Sequence, residues 1–508
     1  MMRPRSFRLV VTATTLALAC AGLVATSLPA TSGQVVIVVD TAEDSFDGRC
    51  DDGDCSLRDA VKDAPAGARV LVPAGFYALS VAGGGGVGEG SIELRRRVEI
   101  EGDGETGAFI DATTLGAPAF TAAPRDGDAK LALAHLTIFG AQDPSRAGGA
   151  LRIGGGSVRL VDVTVTGGSS QKGGGIAIDA GAELSLVDSL VFGNEAARRG
   201  GGIWNAGTLA ASASTVANNR AIEGGGIGSR HGSVVSLANA TIAENVATDR
   251  GGGLWLAGRG SIVGSTIADN QAARGGGVTV ASGGADIARS IVAGNRAHRA
   301  RQCDGSLLTA GGNVDQGHRC GFDAAGDLED TDPQLGRLGP NGGPTFTMAL
   351  SVRSPAVGIA GDCGGRDQRG APRDPRCDAG SYELVRCLGE PVDVVGTPGD
   401  DELSGGRGRD VFLGLGGDDE FQGSIGRDQA CGGSGDDLLI AGPGADRFDG
   451  EAGADRVKGE SGDDFVRGGV GRDRLVGGPG DDACERDPRD REARGCESFF
   501  GGAARPAT

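Results

Sequence analysis

A nine-residue unit repeats ten times without a gap between Gly396 and Glu485, and it constrains the fold more than any other feature of the chain. Every copy has glycine at its fourth position and aspartate at its sixth, and the eighth position is apolar or cysteine. Each unit has too little apolar surface to build a globular core, so the strict period predicts stacked coils along one axis. Two units would complete one coil of a parallel β-roll, with glycines in the turns and the eighth side chain inside.

The acidic positions of the repeat are candidate metal ligands. Aspartates two units apart would face each other across about one strand spacing, roughly 4.8 Å. At that distance two like charges repel by about 3 kcal/mol at an effective dielectric constant near 20. The sixth-position set is Asp401, Asp410, Asp419, Asp428, Asp437, Asp446, Asp455, Asp464, Asp473 and Asp482. The fifth position adds Asp400, Asp418, Asp436, Asp463 and Asp481.

The charge of this tract predicts a calcium cofactor. Residues 396–485 contain 21 acidic and 9 basic side chains, so −12 of the formal net charge of −19 lies here. Ca²⁺ accepts six to eight oxygen ligands in loose geometry, and carboxylates together with turn carbonyls would supply them. The tract also resembles the RTX calcium-binding repeats, whose consensus it follows. A disordered acidic linker is the other interpretation, and the strict period with its apolar eighth position argues against it.

A second period of 24 to 27 residues occupies the middle of the chain. A glycine pair or triplet followed by an aliphatic residue begins at Gly148, Gly173, Gly200, Gly224, Gly251 and Gly275. An asparagine column accompanies it at Asn194, Asn219, Asn245, Asn270 and Asn295. Three short strands and three turns per period predict a right-handed parallel β-helix. Ile176, Ile203, Ile227, Leu254 and Val278 would stack in its core, and the asparagines would form an amide ladder.

The predicted fold class is therefore all-β: a right-handed parallel β-helix followed by a calcium-binding parallel β-roll. The predicted divisions are residues 1–32, signal peptide; 35–80, N-terminal cap; 81–385, β-helix with a disulfide-bonded C-terminal part; 386–395, linker; 396–485, nonapeptide β-roll; and 486–508, C-terminal tail.

Three segments outside the nonapeptides resemble known bacterial families. CDDGDCSLRDA, from Cys50 to Ala60, looks like the CSLREA motif at the front of secreted β-helix proteins, with Asp59 in place of the usual glutamate. Ser56 to Asp59 also predicts a capping box that opens a short helix. GGPTFT at Gly342 and DQRG at Asp367 resemble a choice-of-anchor module. The glycine and asparagine signals are similar to the repeats of polymorphic outer-membrane proteins. These families imply an architecture and leave the activity open.

The N-terminus and the net charge restrict localisation and partners. Arg3, Arg5 and Arg8 precede an apolar run and small residues, which predicts a cleaved secretory signal, with no membrane span left after its removal. A net charge of −19 makes nucleic acid a poor partner and calcium a good one. The protein is thus expected to be secreted or at the cell surface, where an extracellular or cell-surface glycan is a further candidate partner.

Ten cysteines remain after the signal, an even number that favours disulfides in an exported chain. Spacing suggests Cys50–Cys55, Cys303–Cys320, Cys363–Cys377 and Cys484–Cys496, which leaves Cys387 for Cys431. The sequence alone leaves this connectivity open.

Whether the chain is an enzyme is the least determined point. Lys172, Arg199, Arg250 and Arg274 each precede a glycine triplet, and Glu223 interrupts the row, which favours a solvated, salt-bridged edge over a catalytic base. No catalytic residue is assigned. The favoured function is a non-enzymatic, calcium-binding surface or extracellular-matrix protein of adhesin-like character. The alternative is a calcium-dependent polysaccharide lyase or glycosidase acting from the β-helix face.

Two tryptophans are candidate glycan-stacking residues. Trp204 and Trp255 each follow an inward aliphatic residue, so strand alternation turns them outward, two coils and about 10 Å apart. Such a pair would form a stacking platform for a sugar ring. The competing interpretation is that one or both pack under a loop.

Overall fold

A computed structural model describes residues 34–46, 49–50, 53–81, 90–104, 107–123, 130–317, 319–361, 363–485 and 489–500. The predicted signal peptide, residues 1–32, lies outside these ranges. Within them, no helix is long and apolar enough to cross a membrane. The fold is all-β, as predicted, with parallel sheets that run the length of two successive coiled units.

The first unit is a parallel β-helix whose strands stack in four columns. Columns 1 and 2 belong to one continuous sheet, and columns 3 and 4 form separate sheets. Column 1 contains Val36–Val38, Ala68–Val72, Val98–Gly102, Glu183–Val187, Thr208–Ser212, Val234–Ala238, Arg259–Val263, Ala285–Ala288 and Leu307–Thr309. Column 2 contains Gly75–Ala78, Ala108–Asp111, Leu190–Phe192, Thr215–Ala217, Thr241–Ala243, Thr266–Ala268, Ile291–Ala293 and Val314–Asp315. Lys130–Phe139 and Ser157–Thr166 each span both columns.

Columns 3 and 4 complete each coil and meet at the glycine triplets. Column 3 contains Gln142–Ala147, Ser169–Lys172, Glu195–Arg199, Arg220–Glu223, Val246–Arg250, Gln271–Arg274 and Arg296–Arg299. Column 4 contains Ile92–Leu94, Phe120–Ala122, Leu151–Ile153, Ile176–Ile178, Ile203–Asn205, Ile227–Ser229, Leu254–Leu256, Val278–Val280 and Cys303–Asp304. Between the columns the chain turns so tightly that a side-chain carbon at Gly174 would collide with the carbonyl oxygen of Gly201.

The predicted core stack and amide ladder are both confirmed. The five aliphatic residues after the glycines are fully buried. Each asparagine side-chain N–H group donates to the amide oxygen one coil on at 3.0 Å. The last member, Asn295, donates to Gln302 at 2.7 Å, so a glutamine that the sequence analysis did not identify ends the ladder. Neutral amides can stack because each one donates upward and accepts from below, which satisfies buried polar groups without a charge.

A short helix covers the N-terminal end of the β-helix, as the capping box predicts. Leu57–Asp63 begins at Ser56, whose hydroxyl oxygen accepts the Asp59 backbone N–H at 3.1 Å. The Arg58 guanidinium forms a nearly buried ion pair with Asp44 at 2.8 Å. Leu57 and Ala60 pack into the main apolar core, so the helix closes the open end of the coil.

Residues 341–384, here called the clasp, fold back against column 2. Outward threonines of three successive coils meet it: Thr215 donates to the Phe346 carbonyl at 2.5 Å, and Thr266 accepts the Ser381 backbone N–H at 3.0 Å. Between them, the hydroxyl of Thr241 donates to the side chain of Gln368 at 2.7 Å.

The DQRG motif supplies the buried polar centre of the clasp. Gln368 contacts the threonines, and Arg369 forms a fully buried ion pair with Asp367 at 2.9 Å. The Arg369 guanidinium also lies 3.7 Å from the ring centroid of Tyr382. Two antiparallel strand pairs flank this region, Leu335–Gly339 with Thr347–Leu350 and Arg386–Cys387 with Glu390–Pro391. The motif therefore has a structural role, which the sequence resemblance did not specify.

The second unit is a β-roll of two facing parallel sheets. One sheet contains Val394–Val395, Val411–Gly416, Gln429–Ser434, Arg447–Gly453, Phe465–Arg467, Val470–Gly471, Ala483–Glu485 and Ser498–Phe500. The other contains Glu402–Ser404, Glu420–Gln422, Leu438–Pro443, Arg456–Ser461, Arg474–Val476 and Glu492–Arg494. A small pair, Arg407–Gly408 with Ile425–Gly426, lies at one turn. The eighth-position side chains fill the space between the sheets.

The ends of the roll differ from the predicted boundaries of 396 and 485. Val394–Val395, placed in the predicted linker, pairs with Phe412 and Leu413. Two strands from the predicted tail extend the sheets to Phe500. Both additions lie outside the strict period of nine, which is why the repeat pattern did not include them. All five disulfides that spacing suggested are present, and Cys387–Cys431 joins the linker to the roll.

Candidate metal centre

The sixth-position aspartates form one carboxylate ladder along each edge of the roll. In each pair the backbone N–H of one aspartate donates to Oδ1 of the aspartate two units later. These distances lie between 2.7 and 3.0 Å for the eight pairs within the repeat tract. The pairs are 401–419, 410–428, 419–437, 428–446, 437–455, 446–464, 455–473 and 464–482. The ladder thus fixes one oxygen of each acceptor carboxylate.

The other carboxylate oxygen, Oδ2, faces the turn of its own unit. A side-chain carbon at Gly459, the first residue of its unit, would lie 2.5 Å from Oδ2 of Asp464 and 2.6 Å from the carbonyl oxygen of Gly477. Gly396 has the same surroundings, with Oδ2 of Asp401 and the carbonyl of Gly414 both at 2.7 Å. Glycine therefore leaves a small space that is flanked by a carboxylate oxygen and a carbonyl oxygen.

Most of these Oδ2 atoms are buried without a hydrogen-bond partner. The residues concerned are Asp419, Asp428, Asp437, Asp446, Asp455, Asp464 and Asp482, each at most 2% exposed. At the N-terminal end the arrangement differs, because turn N–H groups donate to Oδ2 of Asp401 and Asp410. A buried anionic oxygen without a partner costs several kcal/mol. Hard oxygen donors of this kind fit Ca²⁺, which would neutralise the stack.

Burial makes the carboxyl groups of the ladder weak acids in the calcium-free protein. It raises the pKa of Asp419, Asp455 and Asp464 to about 7 and that of Asp437 and Asp446 to about 6. Neighbouring carboxylates add to the increase, and the backbone N–H donors partly oppose it. The roll therefore holds protons that an exposed aspartate would release near pH 4.

The fifth-position aspartates form a second, exposed ladder with the opposite polarity. Asp418 donates its backbone N–H to Oδ1 of Asp400, and Asp436 donates to Asp418, both at 2.8 Å. Asp481 donates to Asp463 at 3.0 Å on the other edge. Their charges contribute to the raised pKa values of the sixth-position groups beside them.

Two acidic residues beyond the repeats extend the sixth-position ladder. The backbone N–H of Asp473 donates to Asp490 at 3.4 Å, and that of Asp482 donates to Glu497 at 2.8 Å. The separations are 17 and 15 residues instead of 18, so a search for the strict period misses both residues. The sequence signal that could have identified these two residues was that both are acidic and follow directly after the repeats.

Side chains alone do not complete a metal site in the described part of the chain. No group of three or more His, Cys, Asp or Glu side chains there is placed to hold an ion. A cation in the turns would need backbone carbonyl oxygens in addition to carboxylates, and the glycine spaces place both kinds of oxygen together.

Trp204 and Trp255 lie two coils apart, as predicted, but they do not form the expected open platform. They are only 7% and 8% exposed, and their rings stack on each other with centroids 6.4 Å apart. Gly228 occupies the strand position between them, so the rings close over a residue without a side chain. Lys172 and Arg199 lie over the ring faces.

The basic row of column 3 is a salt-bridged edge, as the sequence favoured. Arg199 pairs with Glu223 at 2.7 Å, and Asp249 contacts Arg250 and Arg274 at 3.2 and 3.4 Å. These pairs bring acids to Arg199, Arg250 and Arg274, in the arrangement of a solvated surface.

Comparisons with known proteins bear on the roll. Residues 395–430, 432–466 and 449–484 match the family model for the RTX calcium-binding nonapeptide repeat (4 copies). The tract consists of RTX repeats. No curated protein matches the chain. Among solved structures, similarity is found to the pectate lyase Pel9A (12% identity, TM-score 0.43, 69% of this chain and 97% of that one). Similarity to the PL6 family alginate lyase AlyGC is weaker (10% identity, TM-score 0.21, 87% and 77%). Identities this low do not transfer an activity.

The raised pKa values predict how pH affects the calcium-free roll. A carboxyl group whose folded pKa is raised keeps its proton longer in the folded state, so its contribution to stability falls as pH rises from about 4 to about 7. In chelator, the roll of the full-length protein should melt at a higher temperature at pH 4.5 than at pH 7.5. Circular dichroism melts at the two pH values measure this, and 5 mM calcium should reverse the order. Equal melting temperatures at the two pH values in chelator would contradict the raised pKa values of the ladder carboxyl groups.

Proposed function

We propose that this protein is an extracellular, non-enzymatic calcium-binding protein with a surface or matrix role of adhesin-like character. The proposed calcium binding rests on the series of buried Oδ2 atoms without hydrogen-bond partners inside the RTX repeats. A divalent cation removes both the desolvation cost and the mutual repulsion of these groups. Extracellular calcium concentrations suit modules whose Kd lies at about 10⁻⁴ to 10⁻³ M.

The proposed ligands are the ten sixth-position aspartates, with Asp490 and Glu497 as additional members. The fifth-position acids Asp400, Asp418, Asp436, Asp463 and Asp481 would raise the local negative charge and assist binding. Calcium supplies charge neutralisation and cross-links between turns. The chain supplies the oxygen donors and the rigid coil behind them, because the apolar eighth positions fill the interior completely.

The extracellular assignment rests on three features of the chain. Five disulfides favour an oxidising compartment, and RTX repeats need a calcium-rich one. The predicted signal peptide agrees with both. The CSLREA-like cap, the choice-of-anchor-like clasp and the division into cap, β-helix, linker and roll belong to the same proposal of a secreted β-helix protein.

A polysaccharide lyase or glycosidase is the alternative function. It requires an acid or base directed at a substrate together with clustered carboxylates or a cation. Arg199, Arg250 and Arg274 of the basic row of column 3 are engaged in ion pairs, which supports the non-enzymatic assignment. The discriminating experiment incubates the full-length protein and calcium with a panel of acidic polysaccharides. Appearance of unsaturated or reducing ends with turnover would replace this proposal by the alternative.

Calcium binding should be cooperative along the roll. An interior coil has two neighbours and an end coil has one, so Asp437→Ala should cost more calcium binding than Asp401→Ala. Asp437 is 1% exposed with an unpartnered Oδ2, whereas turn groups bond Oδ2 of Asp401. Calorimetric titration of the two full-length variants measures the difference. Equal loss of about one ion in both, with the remaining isotherm unchanged, would contradict the stacked roll.

The fifth position should divide the calcium sites into two affinity classes. One edge carries Asp400, Asp418, Asp436, Ala454 and Arg472 in order, and the other carries Arg409, Arg427, Ala445, Asp463 and Asp481. In the first coils, the fifth and sixth positions of each unit on one edge are both aspartate, and their summed formal charge is −2. On the other edge these positions are arginine and aspartate, and their summed formal charge is 0. Tight sites should therefore lie on opposite edges at opposite ends of the roll.

Arg427→Asp tests this division. It replaces a cation next to the ladder by an anion; burial raises the pKa of Asp446, and the charge of Arg427 partly opposes that increase. We expect the affinity of the weak sites to increase about tenfold in a calorimetric titration, as the change in charge near a divalent ion requires. Arg456→Asp, an exposed strand residue with the same change in net charge, is the matched control. Equal effects of the two variants would contradict site-specific action.

A further inference from the structure

A basic cleft lies at the C-terminal end of the β-helix and takes no part in calcium binding. Its volume is about 1170 Å³. The basic side chains on its walls are Arg296, His298, Arg299, Arg301 and Arg319, and its acidic residues are Asp269 and Asp330. The arginines give the cleft a local excess of positive charge on a protein whose formal net charge is −19.

The four arginines have no close acidic partner among the described residues, although the charge of Arg296 acts on nearby Asp269, where it opposes the increase in pKa that burial causes. Arg299 continues the basic row of column 3 in register with Arg274. Earlier in the row, Arg199, Arg250 and Arg274 have acidic partners. Across the described ranges, by contrast, no ion pair within 4.0 Å forms with Arg296, Arg299, Arg301 or Arg319, and all four are exposed. Four unpaired guanidinium groups at one cleft repel one another, so an anion is the partner that stabilises the arrangement.

The walls of the cleft are fixed before any ligand arrives. One wall is residues 294–302, and the other contains Gln316, Gly317 and Arg319. The Cys303–Cys320 disulfide joins the two segments directly behind the arginines, and both cysteines are buried. The end of the asparagine ladder holds Gln302, and the Gly294 backbone N–H donates to the side chain of Gln316 at 2.7 Å. Such preorganisation reduces the entropy lost on binding.

The lining determines the chemical class of the ligand. Arginine forks match carboxylates in bidentate geometry, and the exposed amide of Gln316 adds a polar partner. Among the described residues that line the cleft, no Phe, Tyr or Trp is present to stack a nucleobase, and the imidazole of His298 is the one aromatic ring; alanines 297 and 300 are the largest apolar side chains. An acidic peptide would bring apolar or bulky side chains without a matching pocket. The volume exceeds the usual 300–1,000 Å³ of small-molecule sites, so the cleft has room for several sugar rings.

We propose that this cleft binds a carboxylated oligosaccharide of the extracellular matrix or cell surface. The inference gives a ligand class to the glycan partner and rests on the extracellular role proposed above. It assigns the glycan to the β-helix and calcium to the roll, so the two ligands should bind independently. The stacked tryptophans lie in earlier coils, nearer the N-terminal end of column 4, and are not part of this site.

The direct test titrates the full-length protein with tetragalacturonate by calorimetry in chelator and in 5 mM calcium. The methyl-esterified tetramer, which lacks the charges, is the matched ligand control. We expect saturable binding of the acid in both conditions, weakening as salt increases, and no binding of the ester. Binding in chelator separates this proposal from the calcium proposal, because the roll alone depends on the cation. Equal binding of acid and ester would overturn it.

Two exposed substitutions test the residues. Arg299→Gln with Arg301→Gln should reduce affinity at least tenfold, since it removes two guanidinium groups that would form charge-assisted hydrogen bonds with carboxylates. Arg259→Gln with Arg220→Gln removes the same two charges from exposed positions on columns 1 and 3 and should leave affinity unchanged. Hexaglutamate is the competitor from another class. An unaffected double variant, or tighter binding of hexaglutamate than of the sugar acid, would overturn the proposal, and near-unchanged circular dichroism verifies folding of both variants.

Discussion

The roll depends on how the second oxygen of each stacked aspartate is compensated. The coil geometry uses Oδ1 to accept the backbone N–H of the preceding turn and leaves Oδ2 buried beside a carbonyl oxygen. Two negative oxygens in a poorly solvated turn favour either a proton or a cation. The raised pKa values of the ladder describe the first solution, and Ca²⁺ provides the second at neutral pH. Stability of the roll is thereby linked to its ionic surroundings.

The β-helix also stacks buried polar side chains in its turns, but it satisfies their hydrogen bonds without an ion. Its turn ladder uses the neutral amides of asparagine, each of which donates at one end and accepts at the other. Apolar side chains fill the interior of every coil, a helix covers one end, and the clasp covers the outward threonines of column 2. The chain therefore joins a unit that is complete by itself to a unit whose turns require a ligand. This contrast predicts that calcium affects the stability of the roll and leaves the β-helix unchanged.

The sequence predicts what is periodic and misses what is not. Glycine, asparagine and aspartate recur wherever backbone approach or a ladder demands them, so Asn245 and Asp437 could be assigned from spacing alone. The clasp could not be placed, because the partner of Gln368 is a threonine 127 residues away. Trp204 and Trp255 follow strand alternation, but the stacking of their rings depends on Gly228 in the coil between them. The basic cleft likewise combines residues 296–301 and 319, which the Cys303–Cys320 disulfide and the Gly294–Gln316 hydrogen bond bring together.

Hydrogen exchange of the full-length protein, followed by mass spectrometry at pH 7.5, tests the central claim that uncompensated carboxylates make the roll depend on calcium. Amides of residues 402–476 should exchange rapidly in chelator and become protected at about 10⁻³ M calcium, while those of residues 151–293 should remain protected in both conditions. Magnesium at the same concentration, which demands rigid octahedral geometry, should protect the roll less. Full protection of the roll in chelator at pH 7.5 would contradict the account, because the carboxylate ladder would then be stable without a cation.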